Sequence, residues 1–350
     1  MTVKKTEPDI SRSLHGEATA AWLERFDGRD LATHGSCKAH LVDGLARVLK
    51  MRTAMTLASI DKNASAYARL KARTQVLDEI ISGRWFGQMV ADPLYSPCGE
   101  ALVDNMHEVI EARIDEILGP AADREKAEPV AADRLLDIEN FALAVRLALI
   151  SSLKDLENAL LDLERMIRRR SLDMAKAEAT STSSNARTLN QFGNAAERTL
   201  RRLKDGRDRL HQINYFGSRA QGIEIARVLS VVTNLNLRTG EDGGNSSLDF
   251  IGTSGLLKEL GVELGRMCQG MSQSMHDQRQ NVDYNRDSLI LLDMMSLRLI
   301  GDDLTVSLAL QRSVDGDSNP AMALAATTLL TSILSITLAL RYFNKTGLRQ

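Results

Sequence analysis

The sequence predicts an all-α protein, an elongated bundle of long helices with coiled-coil character that ends in an apolar helix. Three observations carry that expectation. Aromatic residues make up only 4% of the 350 positions and proline occupies only 6 of them, while Ala, Leu, Arg and Met are plentiful, which favours helices over sheets. Leu149, Leu153, Leu156, Leu160, Leu163 and Ile167 follow the alternating four and three spacing of a coiled-coil seam. The stretch AMALAATTLLTSILSITLAL, 321 to 340, runs for twenty residues without a charge.

Taken in order, residues 1 to 120 form an N-terminal helical region. Apolar positions recur at helical spacing over about 16 to 26, 38 to 60, 64 to 83 and 99 to 118, and SGRWFGQMVADPLYSPCGE reads as a packed loop. Pro120 and Pro129 bracket the boundary to a second region, 121 to 318. There the leucine seam predicts a helix from about 130 to 176, roughly 70 Å long at ~1.5 Å per residue. AKAEATSTSSNAR, 175 to 187, reads as a turn or hinge.

A second long helix is marked by Leu189, Phe192, Ala196, Leu203, Leu210, Ile213 and Ala220, and weakened by Gly193, Gly206 and Gly217. Residues 222 to 262 make an apolar and then glycine-rich excursion. From Leu256 a third helix carries Leu257, Leu260, Leu264, Met267, Met271 and Met275, crosses the polar HDQRQNVDYNRDS and turns apolar again at LILLDMMSLRLI. DGDSNP stops it. Pro320 suits the first turn of the last helix, in a third region of 319 to 350.

Catalytic signals are thin. HGSCKAH spaces His34, Cys37 and His40 by three residues without a fourth zinc ligand, and Cys98 stands ahead of a predicted helix start with no histidine partner in view. Asp315, Asp317 and Asn319 open like a calcium loop, but Pro320 and Ala326 occupy the positions that need glycine and a bidentate acid. TGEDGGNSS lacks the GK[ST] of a phosphate-binding loop. No acid, base or metal cluster emerges, so the sequence predicts no enzyme, no cofactor and no metal.

Cys37, Cys98 and Cys268 make no disulfide framework. The N-terminus has no apolar core of a secretory signal, which predicts cytoplasmic synthesis, followed by membrane association or export by another route. The net charge of -2 gives no global argument for nucleic acid. Locally, 165 to 227 holds fourteen Lys or Arg against six Asp or Glu. Arg168, Arg169, Arg170, Arg201, Arg202, Lys204, Arg207 and Arg209 form this basic band, a candidate surface for phosphate or anionic lipid.

Twenty residues match a hydrocarbon core of about 30 Å. In the last helix Thr328, Thr331, Ser332 and Ser335 share a face, with Leu330 and Leu334 beside it, an arrangement suited to close helix packing or a wet channel. A buried core helix with its hydroxyls bonded to backbone carbonyls is the other reading. Long heptad helices, a mid-chain apolar excursion and a detachable apolar helix resemble the α-helical pore-forming toxins of the ClyA and xenorhabdolysin B types over about 130 to 342. That resemblance implies a membrane-active, homo- or hetero-oligomeric protein with a lipid bilayer as partner. The alternative is a helical scaffold that coats nucleic acid through the basic band.

Overall fold

The computed structural model describes residues 14, 16–25, 35–62, 65–96, 99–119, 138–177, 184–213, 219–240, 246–277, 285–311 and 321–347. Among them are ten α-helices: α1 (Glu17–Arg25), α2 (Gly35–Ser59), α3 (Ser65–Ile81), α4 (Glu100–Leu118), α5 (Ile138–Ala177), α6 (Ser184–Leu210), α7 (Arg219–Thr233), α8 (Ser246–Asp277), α9 (Arg286–Gln311) and α10 (Met322–Thr346). The one sheet among the described residues is a parallel pair, β1 (Gln212–Ile213) with β2 (Arg238–Thr239). The all-α expectation is met.

Local chemistry sets the helix ends. Gly83, Gly99 and Gly119 adopt positive φ, a region glycine enters without steric cost. At Gly99 the space is also taken, because a Cβ there would lie 2.4 Å from the Phe141 ring of α5. The start of α1 is capped from a distance: Glu108 of α4 accepts from the N–H groups of Gly16 and Ala18 at 2.8 Å. Between α3 and α4, the buried Trp85 donates to Glu79 at 2.8 Å, and Arg113 lies over its ring while bonding the same carboxylate at 3.2 Å.

The 40 residues of α5 span about 60 Å and form the spine. All six seam residues, Leu149 to Ile167, are buried, because α5 packs against α2, α6 and α10. Arg146, also buried, donates to Asp249 of α8 at 2.6 Å and to the Leu210 carbonyl at 3.3 Å. Helices approach closely where side chains vanish: a Cβ on Gly44 of α2 would meet the Ala144 carbonyl oxygen of α5 at 2.4 Å, and one on Gly261 of α8 would meet that of Ser296 in α9 at 2.6 Å.

Three expectations change. The second long helix, marked through Ile213 and Ala220, ends at Leu210, with Ile213 in β1 and Ala220 in α7. The long helix predicted through HDQRQNVDYNRDS is two helices, α8 and α9, packed side by side. The 222 to 262 excursion, which the toxin resemblance would make a membrane-active head, is packed into the bundle, since Ile225, Ala226 and Leu229 of α7 and Phe250, Leu257 and Leu260 of α8 all join the main core. Of the turn or hinge predicted at 175 to 187, residues 175–177 still belong to α5 and 184–187 already to α6; the rest of it, the boundary at 121 to 130, and Asp315, Asp317, Asn319 and Pro320 lie outside the described residues.

Candidate functional site

On α10, Leu330, Thr331 and Ser332 are buried and Thr328, Ser335 and Leu334 half-buried. The helix is apolar and long enough to cross a membrane, with a mean hydropathy of 1.9, but 72% of its apolar window is buried inside the fold. Ser332, Thr327 and Thr337 have hydroxyl partners there. Ser332 donates to Asp302 of α9 at 2.6 Å, and Thr327 and Thr337 bond the carbonyls of Ala323 and Ile333 one turn back, which satisfies them without water.

The basic band is largely paired. Arg168 bonds Glu164 and Glu197, Arg201 bonds Glu197, Arg202 bonds Glu259 at 2.8 Å, and Arg207 bonds Glu157 at 2.6 Å. Arg169, Lys204 and Arg209 are exposed, while the Arg170 Nε is buried without a hydrogen-bond partner among the described residues. Cys37 and Cys268 are buried, and burial pushes the Cys268 thiol up to about 12, so that thiol is inert. His34 and Cys98 lie outside the described residues. No cluster of metal-ligating side chains occurs among the described residues.

The structure instead gathers charge where no local pattern announces it. A cleft of about 470 Å³ lies where α2, α5 and α6 converge below the end of α7. α2 contributes Asp43 and Arg47, α5 contributes Ser151, Lys154 and Asp155, and the end of α6 contributes Arg207 and His211, over an apolar floor of Leu147, Ile150 and Leu235. Helical spacing explains the pairs, since residues four apart share a face: Arg47 donates to Asp43 at 2.8 Å, and Arg207 and His211 stand one turn apart.

Behind the cleft Glu157, 3% exposed, holds Arg207 at 2.6 Å and lies 3.9 Å from Lys154. Burial pushes the Glu157 carboxyl above its ordinary value, and the nearby Arg207, Lys154 and Lys204 offset only part of that. Glu157 Oε1 and Arg207 Nε are buried without hydrogen-bond partners among the described residues. The ring of His211 has a defined tautomer, because Nδ1 faces the Arg207 carbonyl oxygen at 3.1 Å. A carbonyl only accepts, so Nδ1 carries the proton and Nε2 of the neutral ring is a proton acceptor. Two guanidinium groups, an exposed ammonium and one imidazole lone pair suit a small carboxylate whose proton is to be removed.

No family model matches the chain. The chain is similar to aspartate ammonia-lyase of Bacillus subtilis (strain 168), at 28% identity over 236 residues, 63% of this chain and 46% of the relative. It thus spans about half the length of the curated relative it matches. Among solved structures, fumarate lyase:delta crystallin from Brucella melitensis in native form superposes with a TM-score of 0.81 and 20% identity, over 96% of this chain and 84% of that one. Recombinant class II fumarase from Schistosoma mansoni gives 0.78 and 14%, over 96% and 81%. The pore-forming toxin reading is therefore corrected, together with the bilayer partner, the membrane association, the nucleic-acid scaffold and the expectation of no enzyme: the fold is that of the fumarate lyases, and the sequence likeness is to a lyase.

Proposed function

We propose that the protein is a cytoplasmic lyase that adds to or eliminates across the double bond of a small unsaturated dicarboxylate such as fumarate. The observation that carries the reading is the sequence likeness to aspartate ammonia-lyase over 236 residues. The charged cleft supports it, because it supplies what that chemistry needs. Elimination starts with loss of a proton from the carbon beside a carboxylate, and the charge that develops on that carboxylate must be stabilised. Arg47, Arg207 and Lys154 are placed to hold carboxylates, and His211 Nε2 to accept the proton.

The test is an ultraviolet assay for the conjugated double bond, run forward with aspartate and in reverse with fumarate plus ammonia or water. Turnover in either pairing supports the reading; none with any of them removes it. Arg207→Lys, which keeps charge but loses the planar fork, is expected to lower kcat/KM by about 10- to 100-fold, the loss of one charge-assisted hydrogen bond. Turnover that is indifferent to Arg207→Lys and His211→Gln would move the chemistry out of this cleft.

A further inference from the structure

We propose that Arg146 is a positioning residue for the cleft: by holding the Leu210 carbonyl it ends α6 in a form that keeps the His211 proton on Nδ1 and leaves Nε2 as the proton acceptor. For its effect on turnover the proposal rests on the lyase reading. For its effect on the ring it does not.

A helix leaves its last four carbonyls without helical donors, and a glycine just past the end commonly closes them off. The residues past the end of α6, His211, Gln212 and Ile213, offer none. Other groups take that place. The His211 N–H donates to the Asp208 carbonyl at 3.2 Å, three residues back, a 3₁₀ closure tighter than the α-helix. This leaves the Arg207 carbonyl, the ordinary helical partner of that N–H, to the His211 ring, whose Nδ1 lies 3.1 Å away. The His211 carbonyl accepts from the Arg238 N–H of β2 at 2.9 Å, and the Leu210 carbonyl accepts from Arg146 Nη1 at 3.3 Å.

The bond from Arg146 governs the others because the Leu210 carbonyl and the His211 N–H belong to one planar peptide unit. Held at its oxygen by α5 and at its nitrogen by Asp208, that unit cannot rotate back to the α-helical register, in which the His211 N–H would reclaim the Arg207 carbonyl and displace the ring. Arg146 is itself fixed. It is 1% exposed, its Nη2 donates to Asp249 of α8 at 2.6 Å, and its guanidinium lies 5.8 Å from the centre of the Phe250 ring. Buried ion pairs contribute little to stability in general, and an apolar side chain would fill this position, three residues before the leucine seam of α5, at lower cost. What an apolar side chain lacks is the fork, one arm for Asp249 and the other for the Leu210 carbonyl.

Magic-angle-spinning NMR of protein labelled with ¹⁵N-histidine, above neutral pH where the ring is uncharged, reads the tautomer directly. The His211 signal, identified by its loss in His211→Gln, is expected with the proton on Nδ1 in wild type. Arg146→Lys keeps a charge beside Asp249 but has no second arm, and is expected to move the proton to Nε2, where a ring released from the carbonyl prefers it. Its kcat is expected to fall about 10-fold with KM changed less than about twofold, because Arg47 and Arg207 still hold carboxylates. Arg146→Met combined with Asp249→Asn removes the buried charge together with its partner and is expected to shift the tautomer in the same way. Asp249→Asn alone, whose carbonyl still accepts from Arg146, is expected to keep the proton on Nδ1. A wild type protonated on Nε2, or Arg146 variants still protonated on Nδ1, overturns the proposal, as does a shifted tautomer with undiminished kcat. Wild type without turnover but with the expected tautomer response counts against the lyase reading and upholds the role of Arg146 at the ring.

Discussion

Single side chains decide how the fold responds to acid. Burial alone would raise the Glu108 carboxyl, but the Thr19 hydroxyl and the N–H groups of Gly16, Ala18 and Thr19 outweigh it and hold it below 4.5. Glu79 behaves alike, since its bonds from Trp85 and Arg113 overcome burial. A depressed folded value means that these contacts stabilise the fold fully above the ordinary value of 4.5 and lose their effect as pH falls through the depressed values. Glu108→Gln is expected to flatten the acid limb of a melting-temperature profile below about pH 4.5 while shifting it little in slope above. A variant whose acid limb matches wild type would show that Glu108 does not titrate with folding. At this scale the sequence was least legible. Asp43, Lys154 and His211 are far apart in the chain, and nothing local in any of their segments marks them as neighbours. Arg207 was visible as one member of a basic band, yet its buried partner Glu157 anchors it in the wall of the cleft rather than on an open basic surface.

Helix positions were read well, because period and punctuation are local. Predicted stretches at 16 to 26, 38 to 60, 64 to 83 and 99 to 118 match α1 to α4 within a few residues, and the leucine seam of α5 is buried throughout. The break between α8 and α9 was missed, since a polar stretch reads equally as one exposed helix face or as a reversal of the chain. The apolar run was long enough for a bilayer, and length does not distinguish lipid from a protein core. Leu330→Ala in α10 is expected to cost about 2 to 5 kcal/mol of unfolding free energy in urea titration, and liposome flotation of wild type to leave the protein unbound. Glycines give a matched pair at the same scale. Gly44→Ala, which must push α2 from α5, is expected to destabilise by about 1 to 3 kcal/mol, whereas Gly252→Ala, which meets open space in α8, is expected to gain about 0.5 to 1 kcal/mol. Equal effects from the two would show that helix spacing at Gly44 is not fixed by that contact.

For the whole molecule, the order of assembly follows from where α5 finds its neighbours. One flank is covered by α2, made earlier, but another is covered by α10, whose Asn344 reaches across 185 positions to the Ala159 carbonyl at 2.9 Å. During synthesis the spine therefore leaves the ribosome with an apolar flank that stays wet until α10 has been made. Nascent chains in that interval are sticky, and incomplete packing of this kind is what chaperones bind. A chain stopped after Gln311 is expected to be insoluble or chaperone-bound when expressed, although every element up to α9 is present in it. Recovery of that product as a soluble, cooperatively melting protein would show that the spine closes without α10. The apolar run of α10 is in this sense a lock turned late, and the cell must keep the open spine dispersed until it turns.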